Sequence, residues 1–130
     1  MVGRANILDE VRILAMDDDN DFRDFLEVFL EQSECRWKIA CDMGEFELAY
    51  RELDPTVILL DMVMPETDGI EVLGWLTEQG LAAKVVLISG YNPMYAASAK
   101  SIGAARGLAN VISLQKPVRL ADLREALGIS

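Results

Sequence analysis

Histidine is absent from this chain of 130 residues. Without histidine the chain cannot itself form a Ser-His-Asp triad, a Cys-His pair or a histidine-ligated zinc site. Any metal site must therefore use oxygen ligands, which favours magnesium or calcium. Cysteine is also scarce, because only Cys35 and Cys41 are present. Two cysteines do not make a disulfide framework, and we expect half-buried thiols in a reducing compartment.

Long apolar runs and basic residues are scarce as well. The longest aliphatic runs have four residues, at 57–60 and 85–88, so we expect no membrane-spanning segment. The N-terminal residues lack a signal-peptide pattern. The 12 basic and 22 acidic residues give a net charge of −10, which disfavours direct nucleic-acid binding and favours cations or basic protein partners. These features predict a cytoplasmic protein without a nucleic-acid or membrane partner.

Apolar runs alternate with helical patterns along the whole chain. The predicted strands are 11–16, 37–41, 56–60, 84–88 and 111–114. The predicted helices carry apolar stripes within 22–30, 46–53, 69–79, 93–108 and 120–127. Asn20 or Asp21 is the predicted N-cap of the first helix. Continuous apolar strands that alternate with helices indicate one α/β domain, residues 11–130, with a parallel sheet covered on both faces, after a lead-in of residues 1–10.

Four of the predicted strands end at polar side chains. These are Asp17, Asp18 and Asp19 after the first strand, Asp61 after the third, Ser89 after the fourth and Lys116 after the fifth. The carboxyl ends of parallel strands lie at one edge of the sheet, which is where such sheets bind ligands. The sequence therefore predicts a site at this edge.

The residue types at this edge suit phosphoryl transfer. Two carboxylates about 4 Å apart repel by about 4 kcal/mol at an effective dielectric constant of about 20, so the acids favour a bound cation such as Mg²⁺. Lys116 and Ser89 are suited to phosphoryl oxygens. Asp61, alone on its strand, can act as a carboxylate nucleophile.

Two other kinds of site are not supported by the motifs. Asp17, Asp19 and Asp21 have the spacing of the first ligands in an EF-hand loop, but Phe22 and Val28 replace the required glycine and glutamate. No phosphate-binding G-x-x-x-x-G-K or G-x-G motif is present in the sequence, so we expect no nucleotide site.

The motifs together resemble the receiver domains of two-component response regulators. They are LAMDDD at 14–19, LDMVMPETDG at 60–69, LISG at 87–90 and QKP at 115–117. The resemblance extends over residues 11–127. It implies a flavodoxin-like (βα)5 doubly wound parallel sheet with strand order 2-1-3-4-5, an order that composition alone does not give.

The resemblance also implies roles for the residues at the strand ends. Asp61 would be the phospho-acceptor, and Asp18 and Asp61 would ligate Mg²⁺ with the backbone carbonyl of Val63. Asp17 would support the metal through water. Ser89 and Lys116 would hold the phosphoryl group.

The implied partner is a histidine kinase or a phosphotransfer protein, which would donate the phosphoryl group. An output domain or effector protein would respond to it, and pairing of the domain as a homodimer is left open. The domain would not be an enzyme beyond its own phosphorylation and slow autodephosphorylation.

The sequence departs from typical receivers near its end. Ser113 stands where receivers usually carry an aromatic residue, and the segment from Ser89 to Lys116 is several residues longer. Residues 105–118 are more similar to receivers that precede EAL-type cyclic-dinucleotide phosphodiesterase domains. We therefore expect phosphorylation to shift residues 89–95 and the start of the fourth helix rather than the fifth strand.

Two alternative functions are consistent with the same residues. In a small haloacid-dehalogenase-like aspartyl phosphatase, residues 17–19 would supply the D-x-D motif. That family needs an acidic pair after the lysine, and here only Asp122 and Glu125 follow Lys116, inside the last helical stripe. The second alternative is a receiver-fold interaction module that is not phosphorylated.

Overall fold

Five strands and four helices are described along their whole length in a computed structural model of the chain. The strands are β1 (Arg12–Met16), β2 (Arg36–Ala40), β3 (Val57–Asp61), β4 (Lys84–Ser89) and β5 (Val111–Gln115). The helices are α1 (Asn20–Glu31), α2 (Met43–Leu53), α3 (Gly69–Glu78) and α4 (Leu120–Leu127). The structure describes residues 10–62, 69–80, 83–90, 101, 104, 107, 108 and 110–129. Most of the helix predicted at 93–108 lies outside these residues.

The strands form one parallel sheet in the order β2-β1-β3-β4-β5, which confirms the predicted fold and strand order. Each strand begins and ends within one residue of its predicted bounds. The register pairs Met16 with Leu60, Asp61 with Ile88 and Ser89 with Gln115. The carboxyl ends of β1, β3, β4 and β5 therefore lie side by side at one edge.

The core has two layers, one on each face of the sheet. Ile58 and Leu60 of β3 pack in a cluster with Phe46 of α2, and Leu59 between them packs in the opposite cluster with Leu26 of α1. This alternation follows from the period of two along a strand. Burial of each large aliphatic side chain contributes about 1.5–3 kcal/mol, so β3 is held from both faces.

The N-terminus of α1 differs from the prediction by one residue. Asp19 is the N-cap, and its Oδ1 accepts a hydrogen bond of 3.0 Å from the backbone N–H of Asp21. The predicted cap at Asn20 or Asp21 is wrong, because Asp19 still has an extended backbone and Asn20 is already helical. Adjacent residues of equal capping preference cannot be ranked from sequence.

The predicted stripe of α1 is buried only in part. Leu26, Phe29 and Leu30 are buried as expected, but Phe25 is 37% exposed. Phe25 instead contacts the rings of Phe22 and Phe29 along the surface of the helix.

Asp42 and Glu45 form a reciprocal cap at the start of α2. Asp42 Oδ1 accepts from Glu45 N at 2.8 Å, and Glu45 Oε1 accepts from Cys41 N at 2.9 Å. We expect Asp42→Ala to lower the free energy of unfolding by about 1 kcal/mol, which lowers Tm by about 4 °C for a chain of this size. Asp42→Asn keeps a capping oxygen and is the control. Equal Tm values for Asp42→Ala and the wild type would contradict the importance of this cap.

Both cysteines are free and half-buried, as the sequence predicts. Burial, with Glu10 nearby, raises the pKa of the Cys35 thiol. The contact with Glu45, together with burial, raises the pKa of the Cys41 thiol. Both thiols therefore have little thiolate character at neutral pH.

Within the described part of the chain, no helix has the length and apolar composition that a membrane crossing requires.

Candidate functional site

The site is formed where β1, β3 and β5 end. Asp17 follows directly after β1, Asp61 is the last residue of β3, and Lys116 follows directly after β5. Backbone hydrogen bonds extend the sheet to this edge, because Asp17 N donates to Ala40 O at 3.2 Å and Met62 N donates to Ile88 O at 2.9 Å. The strand register thus brings together side chains that are far apart in sequence.

Three carboxylates converge at this edge. One oxygen each of Asp17, Asp18 and Asp61 lies within 4.8 Å of the other two. Asp17 is 1% exposed and Asp61 is 7% exposed, whereas Asp18 is partly exposed. The structure therefore brings together the three acids of the predicted metal site, Asp18 and Asp61 as ligands and Asp17 as a support through water.

The two oxygens of Asp17 have different surroundings. Oδ1 accepts a hydrogen bond of 2.9 Å from Asp19 N. Oδ2 is buried and accepts no hydrogen bond from the residues that the structure describes. Burial raises the pKa of Asp17, and the Asp19 N–H, Lys116 and Asp61 oppose that rise. A buried oxygen without a hydrogen-bond donor costs about 1–3 kcal/mol. Lys116 Nζ, 3.6 Å from Oδ2, offsets part of this cost, and a bound cation would offset more of it.

Lys116 lies between two of the acids. Its Nζ is 3.6 Å from Asp17 Oδ2 and 3.8 Å from Asp61 Oδ2. Within the described part of the chain, one ammonium faces three carboxylates, so these four groups together are net negative. Hard divalent cations prefer carboxylate oxygens, so the donor set and its negative charge both fit Mg²⁺.

The remaining predicted site residues are placed less completely. Ser89 ends β4, where its backbone pairs with Gln115 beside the lysine. Val63, whose backbone carbonyl was predicted as a metal ligand, lies outside the described residues. Asp19 caps α1 and is not part of the acidic cluster.

Phe22 is a site neighbour that the sequence analysis missed. Lys116 Nζ lies 4.8 Å from the centroid of the Phe22 ring. The sequence pattern assigns Phe22 only to the apolar stripe of α1. That spacing does not predict that Lys116, which follows β5, lies over this ring.

Comparison with known proteins gives the same assignment for most of the chain. Residues 13–128 match the family model described as the response regulator receiver domain. The response regulator receiver protein CpdR from Brucella abortus is 37% identical over 86 residues, which cover 62% of this chain and 67% of CpdR. An uncharacterized 14.6 kDa protein from Leptolyngbya boryana is 34% identical over 87 residues, 65% of this chain and 66% of that protein. The chain thus matches about two thirds of the length of these relatives.

A solved structure is similar to the whole fold. The CheY-like response regulator receiver domain protein from Methanospirillum hungatei superposes with a TM-score of 0.77 at 24% identity, covering 92% of this chain and 91% of that one. At this identity the likeness concerns the fold. The family match over residues 13–128 carries the assignment, and the chain belongs to the family of response regulator receiver domains.

Proposed function

We propose that this receiver domain accepts a phosphoryl group on Asp61 from a phosphohistidine of a partner histidine kinase or phosphotransfer protein. Phosphorylation then switches an output domain or effector protein. The observation that carries the proposal is the position of Asp61, a buried carboxylate within 4.8 Å of two further acids and 3.8 Å from Lys116 Nζ. The chain contains no histidine, so the donor imidazole belongs outside these 130 residues.

Asp18 and Asp61 would ligate Mg²⁺, together with the backbone carbonyl of Val63. Asp17, the most buried of the three acids, would support the metal through water. Magnesium binds through one or two carboxylates and keeps waters that phosphoryl oxygens can replace. When bound, the ion neutralises charge on the oxygens of the transferred group.

The transfer needs few protein groups. A carboxylate oxygen of Asp61 attacks phosphorus as the P–N bond to the imidazole breaks, and the bonding electrons leave with the imidazole. The product is an acyl phosphate. Lys116 and Ser89 bind the phosphoryl oxygens, and their role is to position and neutralise the group. Attack by water on phosphorus later breaks the bond to the Asp61 oxygen, which releases inorganic phosphate and restores the carboxylate, so the domain acts as a signalling switch.

The phosphatase alternative lacks its second acidic pair at this site. Asp122 and Glu125 line a cleft beside β5, with Ile112, Leu114 and Lys84. Lys84 Nζ donates to Ala126 O at 2.9 Å, which holds the end of α4 near the start of β4. Neither acid belongs to the group of carboxylates formed by Asp17, Asp18 and Asp61.

Incubation with acetyl phosphate tests the proposal. Intact-protein mass spectrometry should show addition of one phosphoryl group in the presence of Mg²⁺ and none after chelation. No addition under either condition would favour the interaction module that is not phosphorylated.

Replacement of Lys116 should separate phosphorylation from metal binding. We expect Lys116→Ala to slow labelling by about tenfold or more, because a preorganised charge at the phosphoryl oxygens is lost. Mg²⁺ affinity, measured by calorimetry, should be retained or rise, because a positive charge leaves the acidic cluster. Lys38→Ala on β2 is the matched control. A parallel loss of metal affinity and labelling would contradict this division of roles.

A further inference from the structure

We propose that Phe22 is a positioning residue that holds the Lys116 ammonium beside the two buried carboxylates, an inference that rests on the proposed role of Asp61. Among the residues that the structure describes, the Nζ atom has three neighbours at short range. It lies 3.6 Å from Asp17 Oδ2, 3.8 Å from Asp61 Oδ2 and 4.8 Å from the centroid of the Phe22 ring. A cation within about 6 Å of a ring centroid is attracted to the negative face of the ring.

The first turn of α1 places the ring next to the site. Asp19 caps the helix, and Phe22 stands in the turn that follows. Arg23 Nη1 donates to Asp17 O at 3.0 Å, which ties this turn to the end of β1. The backbone at Asp17 is therefore hydrogen-bonded to the turn of α1 that contains Phe22.

Neighbouring rings restrict the orientation of Phe22. Its centroid is 5.7 Å from that of Phe25, which is 6.1 Å from that of Phe29. Arg124 of α4 lies 5.6 Å from the Phe29 centroid, at the far end of this row. The row of rings therefore restricts the orientation of the Phe22 side chain, although that side chain is only half-buried.

The lysine stem is confined as well. A Cβ atom placed on Gly90 would be 3.7 Å from Lys116 Cδ, so the stem passes close to the backbone that follows β4. The ammonium then faces the carboxylates and the ring. Because the ring has no charge and no hydrogen-bond acceptor, it limits the motion of Nζ without pairing it away from a phosphoryl group. A third carboxylate at this position would compete with that group.

Labelling of Asp61 by acetyl phosphate, followed by mass spectrometry, tests the functional part. We expect Phe22→Leu to slow labelling by about three- to tenfold, the effect of losing a partly desolvated cation–π contact. Phe22→Tyr keeps the ring and should rescue the rate to within about twofold of the wild type. Val28→Ala is the control, because Val28 is a 60% exposed apolar residue of the same helix and is not part of the row of rings. Wild-type labelling of Phe22→Leu would overturn the proposal.

Proton chemical shifts of the Lys116 side chain test the contact independently of phosphorylation. In the wild type the methylene protons next to Nζ should be shifted upfield by the ring. The shift should disappear in Phe22→Leu and persist in Phe22→Tyr and Val28→Ala. Its absence from the wild type would overturn the proposal. If Asp61 is not labelled in any variant, the proposed function fails, whereas these shifts still decide whether Phe22 holds Lys116.

Discussion

Asp61→Asn is expected to abolish phosphoryl labelling of the domain. The amide has nearly the shape of the carboxylate, but its oxygen is a poor nucleophile and carries no negative charge. Asp17 and Asp18 remain in this variant, so any transfer to a neighbouring acid would still be detected. Intact-protein mass spectrometry after incubation with acetyl phosphate and Mg²⁺ should show only the unmodified mass.

Asp24→Asn is the matched control for this loss. Asp24 is exposed on α1, and its substitution also removes one carboxylate from the chain. This variant should be labelled as fast as the wild type. Undiminished labelling of Asp61→Asn would mean that another residue accepts the phosphoryl group, and peptide mapping would identify it.

The sequence predicts the strands and the site edge well because both depend on local pattern. Val57 to Leu60 are apolar without interruption and Asp61 follows them, so the sequence alone predicts where β3 ends. The uninterrupted apolar residues of the strands also indicate that both faces of the sheet are covered. The strand order cannot be predicted from local pattern, because parallel sheets with different strand orders share the same alternation of strands and helices. Here the order came from the resemblance to receiver domains.

Contacts between distant loops could not be predicted. Nothing local distinguishes Asp17, whose buried Oδ2 lies 3.6 Å from Lys116 Nζ, from Asp19, which caps α1. Their roles are set by where the backbone turns from extended to helical. The contact between Phe22 and Lys116 depends on how the segment after β5 crosses the start of α1, which no periodicity encodes.

Magnesium is expected to stabilise the fold strongly. The three acids lie together only in the folded chain, so the unfolded chain offers no comparable site. At a concentration of about 100 times its Kd, an ion that binds only the folded state adds about 2.7 kcal/mol to the free energy of unfolding. For a domain of this size that gain raises Tm by about 10 °C. Thermal denaturation with Mg²⁺ and with a chelator at equal ionic strength measures the difference.

Two variants test which residues bind the Mg²⁺ that raises Tm. Asp18→Ala removes a proposed ligand and should lose most of the Mg²⁺-dependent rise in Tm. Cys41, Asp42 and Glu45 form a second group of potential ligands among the described residues, so Asp42→Ala tests whether the ion binds there instead. That variant should start from a lower Tm, because its cap is lost, and still gain as much from Mg²⁺ as the wild type. A Tm that does not respond to Mg²⁺ in the wild type would contradict a preformed metal site at Asp17, Asp18 and Asp61.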